Sequence, residues 1–318
     1  MNNIRSQGIV AALSSAFFLG MAPIFGKRAI ISGTSPLAVV AIRTLLAALL
    51  LLLLMVLFKR KYLFIYPAGL LGCLLAGWIN GLGSLFYYSA LSRIDAGVGQ
   101  LLYSLYPLFV ALWLFLDRQP PSRLTIFRLF LSIPAVYLLT QAGQTKIDIL
   151  GMIEMLIAAA LYALHLPINQ RVLYDMPAPT VTLYTLLAMS AIVVPTTLFS
   201  PSALASLPTS FSSWLPIIGL TLVTFFSRLM LFLGVKHLGG MQTSVLGLSE
   251  LLVTIVVAQI WLGEQLNIWQ WIGALLLALS LILVGIEKPP PKKKSPGGWL
   301  SWLSHPRLPS DLPWQPHE

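Results

Sequence analysis

Charge is scarce in this sequence. Only 9% of its residues are Asp, Glu, Lys or Arg, against 57% hydrophobic, whereas a soluble domain carries roughly 25% charged residues. Such a chain cannot cover a surface that faces water, so it must meet lipid over most of its length. Cysteine is nearly absent as well. The single Cys73 excludes an intramolecular disulfide and any cysteine-built metal cluster. Enzyme signatures are missing: there is no H-E-x-x-H, no Walker A loop and no G-x-S-x-G, and GLSEL (247–251) stops one glycine short of a nucleophile elbow. Without a nucleotide-binding loop, any transport must run on a gradient or on exchange, and no cofactor is implied.

What the chain does have is apolar runs of membrane-spanning length. About 20 residues cross the roughly 30 Å of bilayer hydrocarbon. Ten such spans are expected, at 7–28, 36–58, 67–91, 96–116, 123–141, 149–171, 178–199, 213–236, 241–262 and 266–286. The stretch 176–227 holds no charge at all. It is too long for one span, and the Ser- and Pro-rich FSPSALASLPTSFSS (199–213) divides it. Arg5 ahead of an apolar run is reminiscent of a secretory signal, but no A-x-A-like cleavage site follows, so the segment reads as a retained first helix.

The sequence also repeats. Gly8 to Arg28 reads GIVAALSSAFFLGMAPIFGKR, and Gly151 to Arg171 reads GMIEMLIAAALYALHLPINQR. Both are of equal length, open on Gly, close on Arg and carry a Pro near the end. Arg43-Thr-Leu-Leu-Ala is echoed by Tyr184-Thr-Leu-Leu-Ala. Two copies of five spans each would lie inverted in the membrane, the architecture of a secondary transporter whose substrate site lies between the halves. The division expected is 1–145 for the first repeat, 146–286 for the second and 287–318 for a tail.

The net charge of +10 does not form a basic face with interleaved aromatics, so nucleic acid is not the partner. Basic residues flank the spans instead. With a cytoplasmic N-terminus, fourteen of them fall inside, from Arg5 and Lys59-Arg60-Lys61 to Lys292-Lys293-Lys294, and only Lys27, Arg28, Arg93 and Lys146 fall outside. This bias places both termini in the cytoplasm, in a cell membrane of bacterial inner-membrane type. The tail EKPPPKKKSPGG with WLSWL (299–303) is basic and Pro-rich. It is expected to be disordered and, beyond acting as a stop signal, to meet anionic lipid headgroups.

The second half carries a family resemblance. LGLSELLVTIVVAQIWLGEQLNIWQWIGALLLALSLILVG (246–285) runs an apolar helix with an acidic step at Glu250 into Leu262-Gly263-Glu264 and then into a helix carrying Gly273 and Gly285. It resembles the ninth and tenth helices of EamA-type transporters in the drug/metabolite transporter superfamily. Arg43 in AIRTLLAALLLLLL matches the Arg often found in that family's second helix. Two departures stand out: Leu251 replaces the usual Pro after the acidic residue, and Leu116-Asp117-Arg118 stands where the first half should read Leu-Gly-Glu. The resemblance covers roughly 8–286. It implies ten helices in two five-helix halves, and amino acids, other metabolites or cationic drugs as substrate classes.

Polar residues deep in apolar spans carry the functional expectation. An Arg, Lys or Asp at a helix centre costs roughly 2.5–3.5 kcal/mol on insertion scales, so such a residue faces a cavity or a partner. At about 1.5 Å rise per residue, Glu250 lies near the middle of its span, Arg43 about 6 Å to the outer side, Arg228 about 5 Å to the inner side and Glu154 about 10 Å outward. Substrate contact is expected at Arg43, Trp78, Asn80, Tyr103, Tyr184, Arg228 and Glu250, with Tyr106 and Tyr162 nearby. Proton coupling is expected at Glu250, with Glu154 and His165 as further candidates. The competing expectation is that the deep charges pair with one another and lock helices together.

Together these readings describe an all-α integral membrane protein that moves a small polar organic solute by alternating access, two deep arginines leaning towards a carboxylate-bearing solute. A homodimer is left open. The alternatives are a membrane-embedded enzyme, which would need a paired nucleophile and base, and a non-transporting scaffold.

Overall fold

The computed structural model describes residues 2–94, 96–118, 121–139, 148–262 and 268–283. The expected tail (287–318), Gly263-Glu264 of the second-half turn, Gly285, Lys146 and the 145/146 division lie outside them. The described residues are all-helical: α1 (Asn2–Ile31), α2 (Pro36–Phe58), α3 (Pro67–Arg93), α4 (Ala96–Tyr103), α5 (Tyr106–Leu116), α6 (Arg123–Leu139), α7 (Ile149–Leu173), α8 (Ala178–Leu198), α9 (Pro201–Ala205), α10 (Phe211–Leu238), α11 (Gly240–Gly247), α12 (Ser249–Leu262) and α13 (Ile268–Ile282). Among the described residues, six helices are long and apolar enough to cross a membrane: α1 from Ile4, then α2, α3, α7, α8 and α10.

Local chemistry sets the boundaries. Ser35 caps α2 by accepting from the Ala38 N–H, with Pro36 next in line where its missing N–H costs nothing. Asp148 caps α7 by accepting from the N–H groups of Leu150 and Gly151. Gly239, at φ 84, ends α10 and reverses the chain into α11. The Ser/Pro-rich segment after α8 holds the short α9 and forms the expected turn.

Two expected spans are interrupted. The run 96–116 divides at 104–105 into α4 and α5, because Pro107 has no N–H to donate to the Tyr103 carbonyl and instead sits in the first turn of α5, where a missing N–H costs little. The run 241–262 divides at Leu248 into α11 and α12. There Leu248 N–H donates to Val245 and Leu251 N–H to Leu248, a three-residue spacing tighter than α-helix. Leaving aside the five-residue α9 and counting α4–α5 and α11–α12 as one unit each, the interruptions occupy the fourth position of each half.

Packing follows the same exchange of halves. α1 lies along α10, and α7 lies along α3; α1 also meets α12, and α7 meets both α4 and α5. α3 packs on α8 as α10 does on α2, while the pairs α2–α8 and α6–α13 map onto themselves. The polarity gradient is inside out. Phe130 is 75% exposed and Leu275 69% exposed, whereas Arg43, Arg228 and Glu250 are each under a tenth exposed. Apolar side chains therefore face outward to lipid, and polar side chains meet one another at the centre.

Candidate functional site

Three charged residues of the apolar spans converge on one cavity. Arg43 reaches it from α2, Arg228 from α10 and Glu250 from the first turn of α12. α3 supplies a wall of Asn80, Gly83, Ser84, Tyr87 and Tyr88, whose spacing places them on one helix face. Gln100 and Tyr103 enter from α4, Tyr162 from α7, and Leu19 and Ala22 from α1. The cavity measures about 50 Å³, enough for a few water molecules but not for a metabolite.

Among the described residues, neither arginine meets a carboxylate. Arg43 donates from Nη1 to Thr224 Oγ1 at 3.1 Å and from Nη2 to Ser84 Oγ at 3.5 Å, and its guanidinium lies 4.8 Å from the Tyr88 ring centre. Its Nε is buried without a hydrogen-bond partner. Arg228 donates from Nη2 to Asn80 Oδ1 at 3.5 Å; with the Asn80 amide turned over, its oxygen accepts from Nη1 and Nη2 at 3.2 Å each, the chemically better arrangement. The Arg228 guanidinium stands 5.4 Å from the Tyr162 ring centre.

His165 is best read as a support for Arg228. Its Nδ1 is bonded to the Tyr162 carbonyl, which can only accept, so Nδ1 carries the proton. Nε2 then presents a lone pair to Arg228 Nη1 at 3.5 Å. A neutral imidazole fixed in this tautomer orients the guanidinium.

Glu250 is held by a neutral group. Its Oε1 accepts from Gln100 Nε2 at 3.1 Å, and Gln100 Oε1 in turn accepts from the Tyr87 hydroxyl at 3.4 Å. Gln100 was not singled out by sequence reasoning, because an amide near the start of an apolar run reads as interfacial. The two helix interruptions meet beside this group. The Tyr106 hydroxyl donates to the Ser244 carbonyl at 2.8 Å, and a Cβ at position 247 would lie 2.0 Å from that hydroxyl oxygen. Gly247 leaves room for that hydroxyl, which a side chain at 247 would displace. Tyr103, Tyr106 and Tyr162 pack beside this contact in tilted and edge-to-face arrangements at centroid distances of 5.0 to 5.8 Å.

Three expected residues lie elsewhere. Trp78 is 43% exposed on the opposite face of α3 from Asn80, because two helical residues lie about 200° apart. The Tyr184 hydroxyl donates to the Leu63 carbonyl at 2.6 Å, tying α8 to the turn before α3. Glu154 accepts from Ser89 Oγ at 3.1 Å and lies 3.5 Å from Arg93 Nε, while Arg93 Nη1 lies 3.8 Å from Asp148 Oδ2. This cluster joins the end of α3 to the start of α7, away from the cavity. Trp78 and Tyr184 are therefore not carried forward as substrate contacts, nor Glu154 as a proton carrier.

One further buried charge cluster is a lock. Arg171 Nη2 approaches Asp117 Oδ2 at 2.7 Å and Nε the same oxygen at 3.0 Å, with side-chain exposures of 1% and 0%. Asp117 occupies the place where the family pattern has Gly. Its departure from the pattern thus supplies an ion pair between α5 and α7, across the two halves.

The chain matches the EamA-like transporter family twice, over residues 6–141 and 149–286. It is 27% identical over 236 residues to an uncharacterized transporter of Synechocystis sp. (strain ATCC 27184 / PCC 6803 / Kazusa), an alignment covering 70% of this chain and 67% of that one. A crystal structure of another protein superposes with a TM-score of 0.73 at 14% identity, covering 88% of this chain and 97% of the other. That likeness speaks to the fold alone.

Proposed function

The chain belongs to the EamA-like transporter family, and on that premise we propose that this multi-pass membrane transporter moves a small polar organic metabolite or drug by alternating access through the Arg43–Arg228–Glu250 cavity. The observation that carries the reading is the convergence of these three residues, drawn from both halves, at the crossing of two interrupted helices. Interrupted helices at matching positions of two repeats are where inverted-repeat transporters build their sites. Ten spans follow if α4–α5, α6, α11–α12 and α13 each cross the membrane along with the six long helices. The repeats then divide near 145/146 and lie inverted, with both termini in the cytoplasm of the cell.

That topology has a direct test. A reporter fused within 200–212, between α8 and α10, should report the outer side. A cytoplasmic signal there would remove the inversion.

Glu250 is the proposed coupling residue. It is buried and accepts from the neutral Gln100, and among the described residues no bonded cation pins it to one protonation state. Arg228 and the tyrosines at 87, 103, 106 and 162 are the ionisable groups around it. Transport is measured in proteoliposomes against a panel of labelled metabolites, with and without an imposed pH gradient. Glu250→Gln should fold and bind solute but lose gradient-driven accumulation. A stable mutant whose response to the gradient matches wild type would eliminate Glu250 as the coupling group.

A further inference from the structure

Resting on the transporter reading above, we propose that the solute this cavity takes is a small organic anion, neither a cation nor a neutral molecule. Tyrosine-lined pockets ordinarily attract cations through the ring faces. Here the protein has placed its own cations on those faces. The Arg43 guanidinium covers Tyr88 at 4.8 Å and the Arg228 guanidinium covers Tyr162 at 5.4 Å. The remaining rings pack on one another, Tyr87 against Tyr103 at 4.8 Å and Tyr106 against Tyr162 at 5.0 Å. An incoming ammonium would find a guanidinium already on the Tyr88 and Tyr162 rings and two like charges beside it.

Charge balance points the same way. Two guanidiniums and one carboxyl line the cavity, so at least one positive charge is left over, and two if Glu250 holds a proton. Arg43 and Arg228 are 7% and 6% exposed, and no carboxylate oxygen lies within 4 Å of either among the described residues. Uncompensated buried charge costs several kcal/mol per ion. The polar groups that hold these arginines, Thr224, Ser84, Asn80 and His165, are all neutral acceptors. They orient the forks without cancelling their charge. Arg43 Nε remains a buried donor with no partner at all. A solute carboxylate or other oxyanion supplies the missing acceptor and the missing charge together, in the bidentate geometry that guanidinium favours.

The test uses three probes of nearly equal size and different charge: benzoate, benzamide and benzylamine. Each is titrated onto the purified full-length protein in nanodiscs, and apparent affinity is read from the shift in melting temperature. Benzoate should bind at least about tenfold more tightly than the other two. The difference should fall below about threefold in the Arg43→Gln/Arg228→Gln double variant and persist in Arg228→Lys, which keeps the charge. Equal binding of all three probes, tighter binding of benzylamine, or no binding of benzoate by the wild type overturns the inference, whatever the fate of the variants. Counterflow in proteoliposomes separates this from the transporter reading. Carriage of benzylamine or benzamide in preference to benzoate sinks the anion inference and leaves transport standing. Selective benzoate binding with no flux of any panel solute supports the anion site and sinks transport.

Discussion

Asp117→Ala should cost about 3–5 kcal/mol of stability, the largest effect of any single substitution considered, because it leaves Arg171 charged and buried without its carboxylate. The pair is fully enclosed, and Oδ2 of Asp117 receives both Nε and Nη2 of Arg171. Arg171→Met alone should be destabilising for the complementary reason. The double variant Asp117→Leu/Arg171→Met should recover most of the loss, since replacing both partners by apolar groups of similar size is often neutral or stabilising. Thermal melting of the three variants in nanodiscs checks this. Equal destabilisation by the double variant would mean that packing at the junction of α5 and α7, not the ion pair, holds the halves together there.

Arg228→Met should behave in the opposite way. It removes a buried charge that has no carboxylate within 4 Å, so the melting temperature should stay near wild type. The loss should appear in transport instead. A hydrogen bond to a charged group contributes about 1.5–3 kcal/mol, so the solute concentration for half-maximal transport should rise roughly 10- to 150-fold. Arg228→Lys should fall between, because an ammonium keeps the charge but not the planar fork that Asn80 and His165 hold. A large drop in stability without a transport defect in the surviving protein would assign Arg228 to scaffolding. The two arginines of this comparison thus differ in one property, the presence or absence of a bonded carboxylate, and that property separates lock from site.

Much of the site was legible in the sequence for a simple reason. Arg43, Arg228 and Glu250 stand in runs so apolar that only a cavity or a partner could justify them, and the structure brings all three to one cavity. Asn80 and Tyr103 arrive there too. What sequence reasoning missed on α3 was a matter of phase. Asn80, Ser84, Tyr87 and Tyr88 recur at helical spacing and share a face, a signal that would have found them and set Trp78 on the other side. Tyr184 looked like a cavity residue because a hydroxyl within an apolar run invites that reading, but its partner is a backbone carbonyl in a turn. Gln100 carried no charge to draw notice. The interruption at 104–105 has a local signal in Pro107, just after it. The one at Leu248 depends on Gly247 admitting the Tyr106 hydroxyl, a contact between distant helices that no local pattern announces.

The central claim is that a cavity between the two halves opens to each side of the membrane in turn. Ser84 lines that cavity and is small and 7% exposed. Cys73, the one native cysteine, is buried elsewhere on the same helix. Ser84→Cys, nearly equal in size, therefore places a probe inside the cavity, read against wild-type protein as the control for Cys73. A membrane-impermeant, negatively charged thiosulfonate is added to sealed vesicles of each orientation. The account predicts that Ser84→Cys is modified from both faces, more slowly when a transported solute is present, while wild type is not modified. Modification from one face alone, or from neither, would contradict alternating access through this cavity.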